Sequence, residues 1–210
     1  MTSGAQPLAA VFGLAIPPRH PRLGALRAAA DALAALPLTV SAALAPVGVR
    51  TEPMRYENGL FDSAKVELGV RIADDGIFPG LTLLHEVGHA LDYLVFGQGQ
   101  GYASLTRAGS DWQTWYAACL RSDSVRRIRN RLADPDFVQE ASFAAYLLEP
   151  PELFARSFAQ WVASRSPVAA IHADISQLAQ SDLPQQWRPA DFVTLDAALV
   201  TLCGAAGGVT

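Results

Sequence analysis

Lysine is almost missing from this chain. The sixteen basic residues include one lysine, Lys65, and twenty Asp and Glu outnumber them, for a net charge of −4. With a pI near 5.5 there is no basic footprint, so no nucleic-acid partner is expected. The lysine shortage, beside abundant alanine, reads as genomic composition bias. Cysteine is scarce as well. Cys119 and Cys203 make neither a disulfide framework nor a metal-ligand spacing. They read as two small buried hydrophobes, with a single disulfide between them left open. Long apolar runs are also wanting. The longest uncharged stretch, residues 32–49, is broken by Pro37 and Pro46 and carries Thr39 and Ser41, which argues against a membrane span. No basic segment precedes an apolar run near Met1, so a secretory signal peptide is not expected. Residence in the cytoplasm, or export by a non-classical route, is the expectation.

What remains is an ordinary globular composition. Half of the 210 residues are hydrophobic and 17% are charged, enough for a sizeable core and too apolar for global disorder. The length suits one domain, and no internal repeat is visible.

The most informative stretch is FPGLTLLHEVGHALDYLVFG, residues 78–97. Pro79 suits the first turn of a helix, where no backbone N–H is needed. Gly97 suits its C-terminal end, with φ above zero. Between them nearly every residue is apolar except His85, Glu86, His89 and Asp92. A helix apolar on almost all sides is a buried helix. Burying two imidazoles and two carboxylates in it costs several kcal/mol unless they are paired or metal-bound. At 3.6 residues per turn His85 and His89 project the same way, one turn apart, and can hold one metal ion. Glu86 lies beside that face. This is the HExxH spacing of zinc hydrolases; the plainer alternative is a pair of hydrogen-bonded core histidines.

Around this helix the pattern changes along the chain. Residues 8–16 are an apolar run closed by Pro17 and Pro18, either a strand or a helix fragment. Residues 21–37 carry leucines and alanines at three- and four-residue steps and read as a helix stopped by Pro37. Residues 47–52 and 65–72 alternate in the manner of half-buried strands. The second puts Val66, Leu68, Val70 and Ile72 on one face. It is either an edge strand beside the HExxH helix, on which a peptide can pair, or an ordinary strand of the sheet. The residues 56–59, Tyr-Glu-Asn-Gly, supply turn chemistry before it. The Gly-rich connection 97–101 is a hinge or a plain linker. Helices are expected over 111–120, from 122 through the basic run at Arg126–Arg131 (a solvated face), over 137–148, 167–180 and 189–202.

A further helix begins at Glu149-Pro150-Pro151-Glu152. Phe154, Phe158 and Trp161 make its bulky face. Glu152, Ala155, Ala159 and Ala163 make a second face, small enough for close approach of another helix. A third metal ligand needs that placement, a carboxylate carried up against the histidines. The other reading of Glu152 is a first-turn carboxylate paired with Arg156 at i+4 on the surface.

HEVGHALD followed by PPELFARSF resembles the gluzincin metallopeptidases, in particular the family of the anthrax lethal factor catalytic domain and its compact bacterial and phage relatives. The match covers roughly residues 47–164. The resemblance implies an α+β, zincin-like fold, a small N-terminal sheet with a mostly helical remainder and the HExxH helix packed under the sheet. The domain would be single over 1–210, with a core at about 47–164 and helical extensions at 20–37 and 167–202. His85, His89 and Glu152 would be the ligands of one Zn²⁺ per chain, with Glu86 the general base. Asp92 would buttress a ligand histidine. Two positions depart from the family pattern. Arg156 stands where the family has a second glutamate. The family's oxyanion-stabilising tyrosine falls at Ala145, with Tyr146 one residue later as the candidate. Should Glu152 not serve, Glu149 and Glu140 are next in line. The expected function is zinc-dependent hydrolysis of a protein or peptide substrate. The alternatives are a zinc-stabilised binding or structural module with a vestigial site, or a toxin or effector protease acting on one protein.

Overall fold

The computed structural model describes residues 5–15, 18–41, 45–64 and 69–207. The architecture is α+β, with short strands in the N-terminal third and helices thereafter. Strand β1 (Ala5–Pro7) leads into one helical turn, α1 (Leu8–Val11), and then strand β2 (Phe12–Ala15). The apolar run at the start of the chain is thus both strand and helix. Helix α2 (Leu23–Ala34) follows, then β3 (Thr39–Ser41), β4 (Val47–Glu52), β5 (Gly59–Phe61) and β6 (Gly69–Ala73). β1 and β3 form a small antiparallel pair.

The main sheet has the order β2-β4-β6-β5. The first three are parallel and β5 runs antiparallel to β6. Parallel neighbours need a crossover, and α2 lies within the one between β2 and β4. The alternation read for the strands is present. Val47, Val49, Val70 and Ile72 are buried, while on the other face Arg71 Nη1 donates to Glu52 Oε1 at 3.0 Å. The edge expectation for residues 65–72 is overturned. Residues 65–68 lie outside the described residues, and β6, which holds the rest, sits between β4 and β5. The edge beside the HExxH helix is β5, hidden in the sequence because three residues after a turn show no period.

Helix α3 (Pro79–Ala90) carries the HExxH motif and packs against β5, β6 and α2. Pro79 opens it, as expected. It does not run on to Gly97 as an α-helix. Leu91–Phe96 form a π-helical turn, closed by Gly97 N–H donating to Asp92 C=O at 2.9 Å. Gly97 keeps a negative φ, and the chain reverses at Gln98 (φ 53°) and Gly99 (φ 72°) instead.

Then come α4 (Ala103–Thr106), α5 (Ser110–Arg121), α6 (Asp123–Leu132) and α7 (Ala141–Tyr146). α7 is shorter than the expected 137–148, its first residues being turns. Helices α8 (Pro150–Ala163), α9 (Ala169–Gln180) and α10 (Pro189–Gly207) complete the chain. Every residue of α8 from Glu152 to Ala163 is buried, so α8 is the central helix of the molecule. On α6, Arg126, Arg129 and Arg131 are exposed as expected. Arg127 is half-buried and donates to the Ser181 carbonyl at 3.0 Å.

One hydrophobic core extends from Leu8 to Cys203. The stretches at 20–37 and 167–202 therefore share the core of the sheet and the HExxH helix. A smaller cluster of Ile128, Ala144, Leu147 and Leu183 ties α7 to α6 and to the connection between α9 and α10. Cys119 and Cys203 are both free and buried. Burial pushes each thiol up to about 12, the profile of an inert core cysteine. Among the described residues no helix is long and apolar enough to cross a membrane.

Candidate metal centre

The site is built where α3 crosses α8. That crossing is close because Gly88 has no side chain. A Cβ there would stand 2.9 Å from the Ala155 Cα and 3.2 Å from its carbonyl oxygen. The alanine face read on α8 is thus the face that meets α3. Its first turn brings Glu152 over the two histidines.

The three donor atoms form a nearly equilateral triangle. His85 Nε2 and His89 Nε2 are 3.1 Å apart. Glu152 Oε2 is 3.4 Å from the first and 3.5 Å from the second. Donor atoms 2.0–2.1 Å from a tetrahedral zinc ion stand about 3.3 Å from one another. The spacing therefore fits such an ion. Hydrogen bonding alone accounts for it poorly: Glu152 Oε2 is buried and has no hydrogen-bond partner, and 3.4–3.5 Å is too long for a strong N–H···O bond. Among the described residues this is the group of His, Cys, Asp and Glu placed to hold a metal; Glu149 and Glu140 are exposed and outside it. The surface reading of Glu152 is excluded by its 4% exposure. Burial by itself would raise the Glu152 pKa. His85, and then His89, outweigh it and hold the carboxyl well below its ordinary range.

Glu86 sits next to this triangle. It is buried, and burial pushes its pKa up to about 7, against a lowering by His89 and by the Phe61 backbone N–H. Strand β5 fits against it closely. A Cβ on Gly59 would stand 2.7 Å from Glu86 Oε1 and 2.6 Å from the Thr82 methyl.

His85, Glu86 and Glu152 open into a cleft of about 430 Å³. One wall is Tyr56–Gly59 with Ile77 and Phe78; the other is Phe143, Tyr146 and Leu147 with Leu178, Gln185 and Gln186. Phe78 enters α3 with φ 51° and ψ 47°, a left-handed conformation that bulky residues rarely adopt. The Tyr146 ring is 43% exposed, while its hydroxyl turns inward to Glu152. Burial, then the charge of Glu152 and the hydrogen bond to it, push the Tyr146 pKa above its ordinary value. Tyr146 is thus brought to the cleft, beside the carboxylate it was expected to accompany.

Asp92 does not buttress a histidine through a hydrogen bond. Its carboxylate accepts from the Ser104 backbone N–H at 3.0 Å and from the Ser104 hydroxyl, so it staples the π-turn to α4. The His89 Nδ1 has no hydrogen-bond partner. What packs on His89 is Tyr102, edge-on with ring centroids 6.0 Å apart, backed by Tyr93. Tyr102 follows the Gly-rich connection and carried no sequence signal. Gln185 and Gln186 were equally invisible, because nothing in their local pattern says that the α9–α10 connection reaches the cleft.

No family model, curated protein or solved structure matches this chain. What the site can do has to be read from its own side chains.

Proposed function

We propose that this protein is a zinc-dependent metallopeptidase of the zincin type, with His85, His89 and Glu152 holding the ion and Glu86 acting as general base. The observation that carries the reading is the donor triangle at tetrahedral spacing, with a second buried carboxylate beside it, in an open cleft. A structural zinc site fills its fourth position with protein, often cysteine. Here both cysteines are buried elsewhere, and the donors face the cleft.

Zinc at this position supplies Lewis acidity, acidifying water to a pKa of about 7 and polarising a carbonyl. Glu86 takes the proton of the attacking water and returns it to the leaving amine. Its pKa of about 7 suits both duties near neutrality. A cation nearby favours its ionised form and moves that value down. The Tyr146 hydroxyl stays protonated and is a donor for the oxyanion that develops on the scissile carbonyl. The β5 edge beside Glu86 offers backbone groups with which an extended substrate pairs.

Elemental analysis of protein purified without chelators is expected to find about one zinc per chain. Glu86→Gln should retain that metal and lose at least about 100-fold in peptide hydrolysis, the range general-base catalysis contributes. A comparison of wild type and this variant on a proteome-derived peptide mixture reads both activity and cleavage preference. A metal-free wild type, or a fully active variant, overturns the assignment.

A further inference from the structure

Arg156 is a guanidinium where the fold leaves almost no water. It is 3% exposed, in the middle of the wholly buried stretch of α8. Its Nη1 donates to the Pro184 carbonyl at 3.0 Å, and its Nη2 donates to the Leu147 carbonyl at 2.5 Å. The guanidinium carbon lies 5.0 Å over the Trp187 ring. The remaining N–H group, Nε, has no hydrogen-bond partner and stands 3.8 Å from Glu152 Oε1.

The two oxygens of Glu152 therefore face different ways. Oε2 looks at the imidazole nitrogens, and Oε1 lies on the side of a fixed cation. A carboxylate without that neighbour is free to turn and offer both oxygens. The other two Arg156 contacts reach the cleft. Leu147 follows Tyr146 on one wall, and Pro184 precedes Gln185 farther along it. A planar fork on a buried stem can hold all three directions at once, which a lysine ammonium cannot.

We infer that Arg156 is a positioning residue for the metal centre: it holds Glu152 as a one-oxygen donor and locks that donor to the cleft wall that carries Tyr146 and Gln185. The inference rests on the metal reading above. The role is distinct from filling space, because it predicts the ligand geometry as well as stability.

Cobalt-substituted wild type and Arg156→Met separate the possibilities. Wild type should show the intense visible absorption of a four-coordinate ion, three protein donors and one open position. Arg156→Met should lower metal affinity by about 10–100-fold, the usual effect of losing a group that orients a ligand, and weaken that absorption as both Glu152 oxygens turn in. Arg156→Lys, which restores the charge without the fork, should recover affinity only in part. Unchanged affinity and spectrum in folded Arg156→Met overturn the inference. A weak, five-coordinate spectrum in the wild type overturns it too, without any variant. A wild type that binds neither zinc nor cobalt overturns the metal reading itself.

Discussion

Asp92 shows how much a single buried carboxyl weighs in this protein. It is fully buried, and burial pushes its pKa from 3.8 up to about 6 in spite of the bonds from Ser104. Between about pH 4 and 6 the native state keeps a proton that the unfolded chain has released. The contribution of this group to stability is thus fully present below about pH 4 and is lost as pH rises through about 6, by roughly 3 kcal/mol at most. Denaturant unfolding at pH 4.5 and pH 7 checks this. Wild type should lose more stability over that interval than Asp92→Asn, and parallel profiles would dissociate the shift from Asp92. At this scale the legible residues were those whose spacing carries meaning. His85, Glu86 and His89 are read from one helical turn, and Glu152 from a small-residue face. The role of Asp92 was misread because only the fold shows that Ser104 comes to meet it. Arg156 was opaque for a related reason. A charged residue reads as solvated until the 181–188 connection is seen to cover it.

Elements meet here through missing side chains. Gly88 and Ala155 let α3 and α8 approach until a methyl group no longer fits. Gly88→Ala sets that methyl against backbone rather than against a yielding side chain. It should cost about 1–3 kcal/mol in urea unfolding, and it should weaken zinc binding as Glu152 is carried away from the histidines. A variant as stable as wild type would mean that the crossing relaxes freely. The helices were largely visible in advance, since their apolar residues recur at three and four steps. The edge strand was not, being three residues long, and neither was the π-turn. Leu91–Phe96 is as apolar as the helix before it, and hydrophobic pattern does not report which carbonyl an N–H reaches.

At the scale of the whole chain, the C-terminal third belongs to the cleft. The 181–188 connection is laid along the polar stripe of α8. Gln160 exchanges two hydrogen bonds with the Trp187 backbone, at 2.9 and 2.8 Å, and Arg156 holds Pro184. Trp187, Leu195, Leu199 and Cys203 lie in the main core. A chain ending at Arg165 leaves these partners unpaired and uncovers α8, and it should show no cooperative thermal transition by circular dichroism. A truncated chain that melts cooperatively and binds zinc would reduce the last two helices to an appendage. The π-turn has a consequence on the same scale. It spends one residue more than an α-helical path would, between the histidines and everything that follows. Deleting any one residue from Leu91–Phe96 would leave the HExxH motif intact, yet turn the rest of the chain by about 100° and draw it in by about 1.5 Å. Glu152 would then arrive at the wrong side of its histidines. In an alignment, a one-position gap at this turn would separate chains that build this centre from chains that only spell its motif.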